Sequence, residues 1–350
     1  MAKTAFLLGG TGQIGRAAAA RFLAAGWDVV LASRGQRPIA KELQALRHVQ
    51  VEREDTEALR TALGDGVDVL VDVVAFEPEH GKQLLALGDL VRSLIVISSG
   101  SVYADRRGSR SLDEATNEDE FPDFQGPIPE TQPTVLSGEG TYSTKKVAIE
   151  QTLLEQDRKP ATIVRPFAIY GPGGTLSREW YFVKRVLDGR RFVPLGDRGR
   201  GRFHTTSSEN LAELIVLAAE RPRTGVFNCG DPDPPNVLEI ARAIGSAMDH
   251  DWTEVLFDWA EPWERGVERI GDTPWSGPKP LVADMSIAEI DLGYRPVTTY
   301  REAVRATCES LVAATDGKDW REVLTGSATY MAGSFDYDAE DAFLRGLMAG

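Results

Sequence analysis

Residues 4–26 read TAFLLGGTGQIGRAAAARFLAAG, and this stretch decides the fold. Thr4–Leu8 has the apolar composition of a buried strand. Gly9, Gly10, Gly12 and Gly15 follow at once, and an alanine-rich helical pattern over 15–25 stops at Gly26. A strand that turns through glycine straight into a helix lets backbone N–H groups and the positive helix end approach an anion. A GxGxxG pattern alone is a weak signal, but here a strand precedes it, a helix follows, and a second strand comes next at 28–32. Gly9, Thr11, Gly12, Gln13, Ile14 and Gly15 are therefore candidates for holding the pyrophosphate of NAD or NADP.

Outward from this turn, short apolar runs alternate with helical stretches. Strands are expected at 49–52, 68–75 (DVLVDVVA), 94–97 (LIVI) and 161–165 (ATIVR), with helices near 40–47 and at 142–156. The alternation predicts an α/β fold: a Rossmann doubly wound parallel sheet with a smaller, interleaved C-terminal substrate domain. The dinucleotide-binding domain is expected over 1–170, with a return segment near 203–228. The substrate-binding domain takes 171–202 and 229–314, and 315–350 forms a tail without a nameable motif. Between 105 and 140 the text turns acidic and aperiodic, as a functional lid or insertion would.

Composition narrows the function classes. A net charge of −14 opposes nucleic-acid backbones and anionic membranes, so neither is an expected partner. Cys229, Cys308, His48, His80, His204 and His250 are scattered without metal-ligand spacing, so no metal is expected. The opening MAKTAFLLGG is too short and glycine-broken for a signal peptide, and no run has membrane-spanning length. The expectation is a cytoplasmic protein with a small-molecule substrate, a homodimer being the assembly considered. Five of the seven tryptophans (Trp252, Trp259, Trp263, Trp275, Trp320) fall in the last hundred residues, where they pack the small domain or line a pocket.

The end of the second strand distinguishes the two cofactors. An acidic residue for an NAD ribose is expected about 20 residues after the glycines. The chain has Ser33-Arg34-Gly35 there instead, followed by Arg37. A guanidinium matches a phosphate better than a neutral hydroxyl, so Arg34 favours NADP over NAD. Asp55 has two readings: a partner for the adenine amino group, or the N-cap of a helix at 56–63.

Tyr142 and Lys146 lie four apart on one helix face. A phenol is a poor base at neutral pH, and a nearby ammonium lowers its pKa, making Tyr142 a usable general acid–base. Lys146 can also hold the nicotinamide ribose. Ser98-Ser99-Gly100-Ser101-Val102-Tyr103 follows the fifth strand, at the carboxyl edge where open α/β sheets bind ligands. Glycine cradle, strand-end serine and Tyr-x-x-x-Lys together point to hydride chemistry.

With these motifs, RPFAIYGP (165–172), GVFNCG (225–230) and the stretch from Asp284 to Pro296, the sequence closely resembles the extended short-chain dehydrogenase/reductases, the NAD-dependent epimerase/dehydratase family. It also resembles an atypical subgroup that includes reductases, sugar-modifying enzymes and RNA-binding relatives. The resemblance covers the chain to about residue 314. It implies Ser99 as the catalytic hydroxyl, Tyr142 as the acid–base and Lys146 as its partner. Sugar 4,6-dehydratases carry an Asp-Glu pair after that hydroxyl and related decarboxylases a glutamate; here Gly100 and Ser101 stand there. Ala168 occupies a position where nucleotide-sugar enzymes often place an asparagine. Ser101, Ala168, Arg200 and Arg202 are the candidate substrate contacts, the arginines having a solvated basic loop as their alternative reading.

The expected function is an NAD(P)-dependent interconversion of a secondary alcohol and a ketone on a small, carbohydrate-like molecule. The alternative is a sugar epimerase that retains its cofactor. A third reading, a non-catalytic dinucleotide sensor or RNA-interacting protein, is opposed by the intact trio and the negative charge.

Overall fold

The computed structural model describes residues 2–106, 112–113, 115, 118–260 and 269–348. Residues divide into two compact units: 1–169 with 208–230 and 282–297, and 170–207 with 231–281 and 298–350. The stretch 282–297, read from sequence with the substrate side, thus belongs to the first unit, and 315–350 belongs to the second rather than standing apart.

The first unit is built on seven parallel strands. In chain order they are β1 (Thr4–Leu8), β2 (Asp28–Ser33), β3 (Arg47–Gln50), β4 (Val67–Asp72), β5 (Val91–Ile97), β6 (Ala161–Pro166) and a last strand, Gly225–Cys229. Across the sheet the order is Gly225–Cys229, β6, β5, β4, β1, β2, β3. The chain winds outward from β1 through β2 to β3, then crosses back to β4 on the other side. The carboxyl end of β1 is therefore a switch point, where open sheets leave a crevice.

Alternating strand residues feed two apolar layers. Leu7, Leu31, Val71 and Ile97 pack toward Ala18, Ala19 and Phe22 of α1 (Gln13–Ala24) and Leu211, Leu214 and Ile215 of the helix Ser208–Glu220. Phe6, Val30, Leu70 and Val96 face Leu59 and Leu63 of α2 (Thr56–Leu63), Leu84 of α3 (Pro78–Ala86), and Ile149 and Leu153 of α4 (Tyr142–Leu154). Each fully buried side chain of this size contributes about 1.5–3 kcal/mol, and that burial holds the strand ends in place.

Some elements depart from the sequence reading. The helix expected near 40–47 is only a short 3-10 turn, Lys41–Leu43, and Arg47 opens β3. β4 stops at Asp72, so residues 73–75 leave the sheet despite their apolar composition. α3 had no counterpart in the sequence reading because Gly81 interrupts its pattern. It is fixed locally, with Pro78 in its first turn and a reciprocal cap between Glu77 and His80. The described part of 105–140 contains a 3-10 turn at Glu118–Glu120 and is stitched to its own unit: Ile128 N–H donates to Val282 O at 2.7 Å, and Asp284 N–H to Ile128 O at 2.9 Å.

In the second unit, aromatic packing dominates. Trp180 and Trp320 rings lie 5.8 Å apart, and Trp252 sits between Phe182 and His250. Trp275 is buried, Trp259 packs against Gly196, and Trp263 lies outside the described residues. The last helix, Tyr337–Met348, is anchored by Glu340, which accepts from Arg185 at 3.0 Å and from Arg190 at 3.1 Å. No helix among the described residues is long and apolar enough to cross a membrane. Among the same residues, no cluster of His, Cys, Asp and Glu is placed to hold a metal ion.

Candidate active site

The turn after β1 is shaped by its glycines. Gly9 has φ 90° and donates to Ala32 O at 2.9 Å, tying the turn to β2. A Cβ on Gly15 would lie 2.5 Å from Gly9 O and 2.6 Å from Gly10 Cα, so the helix could not approach the strand this closely with any other residue. A Cβ on Gly12 would meet nothing nearer than Gly9 O at 3.4 Å. Gly12 caps α1 without a side-chain acceptor, and no acidic residue occupies the first turn. The positive helix end is thereby kept for a ligand, and the turn fits a pyrophosphate.

A cleft of about 540 Å³ opens over this turn. Gly9, Thr11, Gly12, Gln13 and Ile14 form one side, Arg34 and Arg37 another, and Val73, Val74 and Phe76 a third. The apolar residues that leave β4 early thus become a wall of the cleft. The Arg37 guanidinium comes within 3.8 Å of the place a Cβ would take on Gly12. Gly15 does not line the cleft, consistent with its packing place.

Asp55 does not line it either. Its carboxylate accepts from Ala58 N–H at 2.9 Å as the N-cap of α2, the second of the two roles the sequence offers for it. Arg53 and Glu54 take the cleft positions instead. The buried Arg53 guanidinium lies 2.7 Å from Asp72, at the end of β4, a pair that sequence spacing did not reveal. His80 also reaches the cleft. Its Nδ1 accepts from Phe76 N–H at 3.0 Å and Glu77 N–H at 3.1 Å, so the ring is neutral, and burial beside Arg53 lowers its pKa.

The three expected catalytic residues sit at the carboxyl edge of β5 and the start of α4. Ser99 caps a 3-10 turn by accepting from Ser101 N–H at 3.1 Å. Tyr142 opens α4 behind the cap Thr141, with 42% of the residue exposed. One turn on, the buried Lys146 Nζ donates to Ala75 O at 2.7 Å and Ile97 O at 2.9 Å. It lies 5.4 Å from the Tyr142 ring centre and 4.8 Å from that of Phe76, a wall of the cleft.

The electrostatics differ from the sequence expectation. Lys146 does not draw the phenol down. Desolvation of the hydroxyl pushes Tyr142 up to about 12, with the Asp113 charge adding and Ser99 opposing. Burial takes Lys146 down to about 8, while Asp72 and Glu150 pull it up and Arg53 lowers it. The ammonium is over the tyrosine ring rather than beside its oxygen, which explains the missing coupling.

A buried network supports this edge. Ser98 donates to Glu150, and Arg165 Nε donates to Glu150 at 3.0 Å while its Nη2 pairs with the other carboxylate oxygen. The Arg165 guanidinium stacks on Tyr103, whose hydroxyl donates to Asn228 at 2.6 Å. Asn228 in turn donates from its side chain to Ile128 O at 2.8 Å and Asp284 O at 3.0 Å. Arg165 and Asn228, from the motifs read in the sequence, thus brace the site.

The expected substrate contacts fare unevenly. Ser101 Oγ lies 2.9 Å from Ser143 Oγ, beside Tyr142. Ala168 is fully buried and offers no surface to a ligand. Arg200 pairs with Asp197 at 2.9 Å and Asp258 at 3.3 Å, and Arg202 lies 4.0 Å from Glu239. These arginines belong to a solvated, locally neutralised loop. At Gly100, a Cβ would fall 2.7 Å from the Phe167 ring, so the place of the missing acid is filled by an aromatic side chain.

Residues 5–230 match the NAD dependent epimerase/dehydratase family. The chain belongs to this family. It is an NAD(P)-dependent enzyme with the family's Rossmann sheet, in the general class of oxidoreductases and epimerases. The chloroplast stem-loop binding protein of 41 kDa b from Arabidopsis thaliana is 24% identical over 269 residues, which cover 73% of this chain but only 65% of that protein. The 2'-dehydrokanamycin reductase of Streptomyces kanamyceticus is 24% identical over 279 residues, covering 76% of this chain and 73% of the reductase. Among solved structures, dTDP-glucose 4,6-dehydratase from Bacillus anthracis in complex with NAD superposes with a TM-score of 0.66 at 16% identity, covering 91% of this chain and 99% of that one. At that identity the likeness concerns the fold.

Proposed function

We propose that the protein is a reductase or dehydrogenase favouring NADP, which interconverts a secondary alcohol and a ketone on a small, carbohydrate-like substrate. The observation that carries this reading is the convergence of Ser99, Tyr142 and Lys146 on the β5–α4 edge, with Phe76 joining Lys146 to the dinucleotide cleft. The cofactor, when bound, supplies or accepts the hydride at its nicotinamide. Gly9, Thr11, Gly12, Gln13 and Ile14 would form its diphosphate cradle, with Gly15 letting α1 pack close behind it, and Lys146 would hold the nicotinamide ribose. Tyr142, protonated over the whole physiological range, is suited to give a proton to a carbonyl oxygen that Ser99 orients. Arg34 and Arg37 on the cleft wall support a 2'-phosphate, because a guanidinium pairs with phosphate through charge-assisted hydrogen bonds. Gly100, filled by Phe167, supports plain redox chemistry over elimination.

The test is a pair of measurements on the purified protein. NADPH titrated against NADH should bind more tightly, with Arg34→Ala erasing the difference. Tyr142→Phe should abolish turnover of carbonyl substrates while nucleotide binding persists. Equal binding of the two nucleotides overturns the NADP preference, and normal turnover in Tyr142→Phe overturns the role of the tyrosine.

The family match also supports an epimerase, which would use the same trio for oxidation and re-reduction in one site. NAD retained through purification would favour that reading. RNA interaction is the weaker reading, since a net charge of −14 repels a phosphate backbone.

A further inference from the structure

Lys146 stands between two buried carboxylates, yet its hydrogen bonds go to backbone carbonyls. Asp72 closes β4, fully buried, and pairs in the sheet with Val96, the residue before Ile97. Glu150 lies one turn after Lys146 on α4 and is also buried. An ammonium in such company ordinarily closes an ion pair, because a buried carboxylate without a countercharge is costly. In this protein each carboxylate is engaged by an arginine instead. Arg165 Nε donates to Glu150 at 3.0 Å, and Ser98 donates to the same oxygen. The Arg53 guanidinium lies 2.7 Å from Asp72, a contact of charges without an aligned hydrogen bond.

Arg53 is pinned in this place through its backbone. Gln83 of α3 donates from Nε2 to Arg53 O at 2.8 Å and to Thr56 Oγ1 at 3.0 Å. Asp72 uses its other oxygen to accept from Val74 N–H at 2.9 Å, which fixes the turn that presents Ala75 O. Lys146 spends two of its three N–H groups on Ala75 O and Ile97 O. The groups facing the ammonium are therefore Asp72 from β4, Glu150 and the Tyr142 ring from α4, Ala75 O and the Phe76 ring from the turn after β4, Ile97 O from β5, and the Arg53 charge from the turn after β3. Burial lowers the ammonium to about 8, Asp72 and Glu150 pull it up, and Arg53 pushes it down. With Glu150 already held by Arg165 and Ser98, Asp72 is the carboxylate that would compete for Lys146 in the absence of Arg53.

We propose that Arg53 is a positioning residue: by engaging the Asp72 carboxylate it keeps Lys146 on the carbonyls of Ala75 and Ile97, with the third N–H left for the nicotinamide ribose. The ribose contact rests on the reductase reading; the placing of Lys146 does not.

The experiment is a pH titration of the nucleotide-free full chain labelled with 13Cε-lysine and followed by NMR, the Lys146 signal being assigned from its loss in Lys146→Met. In Arg53→Met the Asp72 charge falls to the lysine, and the Lys146 midpoint should rise by about one pH unit or more, as an opposite charge at contact brings. Combining Arg53→Met with Asp72→Asn removes both charges and should return the midpoint to within about half a unit of the wild type. NADPH affinity, read by fluorescence, should fall about tenfold in Arg53→Met, the effect of losing one charge-assisted hydrogen bond, and recover in the double variant. A Lys146 midpoint in Arg53→Met equal to the wild type overturns the proposal, as does a double variant that keeps the shift of the single one. Unchanged NADPH affinity in a variant whose lysine has shifted overturns the ribose contact. Should Arg53→Met fail to fold, the double variant, which leaves no lone buried charge, is compared with Asp72→Asn. There the unopposed Arg53 must hold the Lys146 midpoint below that of the double variant, and equal midpoints overturn the proposal. The lysine titration needs neither cofactor nor turnover, so its failure is separable from failure of the reductase, which is read from Tyr142→Phe and carbonyl turnover.

Discussion

Asp113 accepts two hydrogen bonds from Ser143, from its amide at 3.0 Å and its hydroxyl at 2.5 Å. An acidic residue of the aperiodic 105–140 segment is thus tied to the residue that follows Tyr142, and Ser143 Oγ also donates to Ser101 O at 3.0 Å. The carboxylate contributes to holding the Tyr142 pKa up.

The first prediction follows from that charge. Asp113→Asn keeps a side chain of the same shape but removes the negative charge, so the Tyr142 pKa should fall. In the pH profile of kcat/KM for reduction, which needs protonated tyrosine, the alkaline limb should move to lower pH. An unchanged limb would mean that Asp113 acts only as a tether.

The glycine turn separates folding from binding. In Gly15→Ala the new methyl meets backbone atoms of Gly9 and Gly10, which cannot move aside, and a loss of about 1–3 kcal/mol in urea unfolding is expected. Gly12→Ala has room in the fold, so its stability should change by less than about 1 kcal/mol. The methyl would nevertheless stand where a diphosphate must approach, and cofactor affinity should drop by roughly tenfold or more. Identical behaviour of the two variants would remove the division of roles.

Lys146 makes activity and stability move in opposite directions at high pH. Its folded pKa of about 8 lies below its ordinary 10.5. Between these values the unfolded chain binds a proton that the native protein lacks, so stability rises with pH across the window. Relative to Lys146→Met, the wild type should therefore gain stability between about pH 8 and 10.5, measured by urea unfolding. Turnover by the wild type should fall over the same range as the ammonium is lost.

His80 acts at the other end of the scale. Its pKa is lowered in the fold, so below about pH 6.5 the unfolded state takes up a proton that the native state refuses. Stability should decline as pH falls through and below that value. Protonating Nδ1 would also cost the two amide bonds from Phe76 and Glu77. The decline between pH 7 and 5 should be shallower in His80→Asn.

Much of this was legible in the sequence because the relevant signals are local. Residues 4–26 contain strand, turn and helix in one uninterrupted reading, and the Tyr142–Lys146 spacing is a property of a single helix. Asp55 was ambiguous because capping and ligand binding both favour an acid at that point, and the Ala58 amide shows the capping role. The Arg53–Asp72 pair and the Asp113–Ser143 contact join residues 19 and 30 positions apart, so no local pattern could announce them. The pKa of Tyr142 went the other way from expectation because a four-residue spacing fixes the side of a helix but not where an ammonium points. Lys146 found two backbone carbonyls instead.

The contact between Phe167 and the space above Gly100 has an evolutionary meaning. Gly100→Asp would supply the first of the two acids that dehydratases carry, with Ser101 standing where the second would be. Here that step is not available alone: the aspartate would collide with the Phe167 ring, and a smaller residue at 167 would first have to vacate the place, leaving a void beside Tyr103. Each change is harmful without the other. An acid at position 100 thus meets a barrier of packing rather than of catalysis, whatever the reaction.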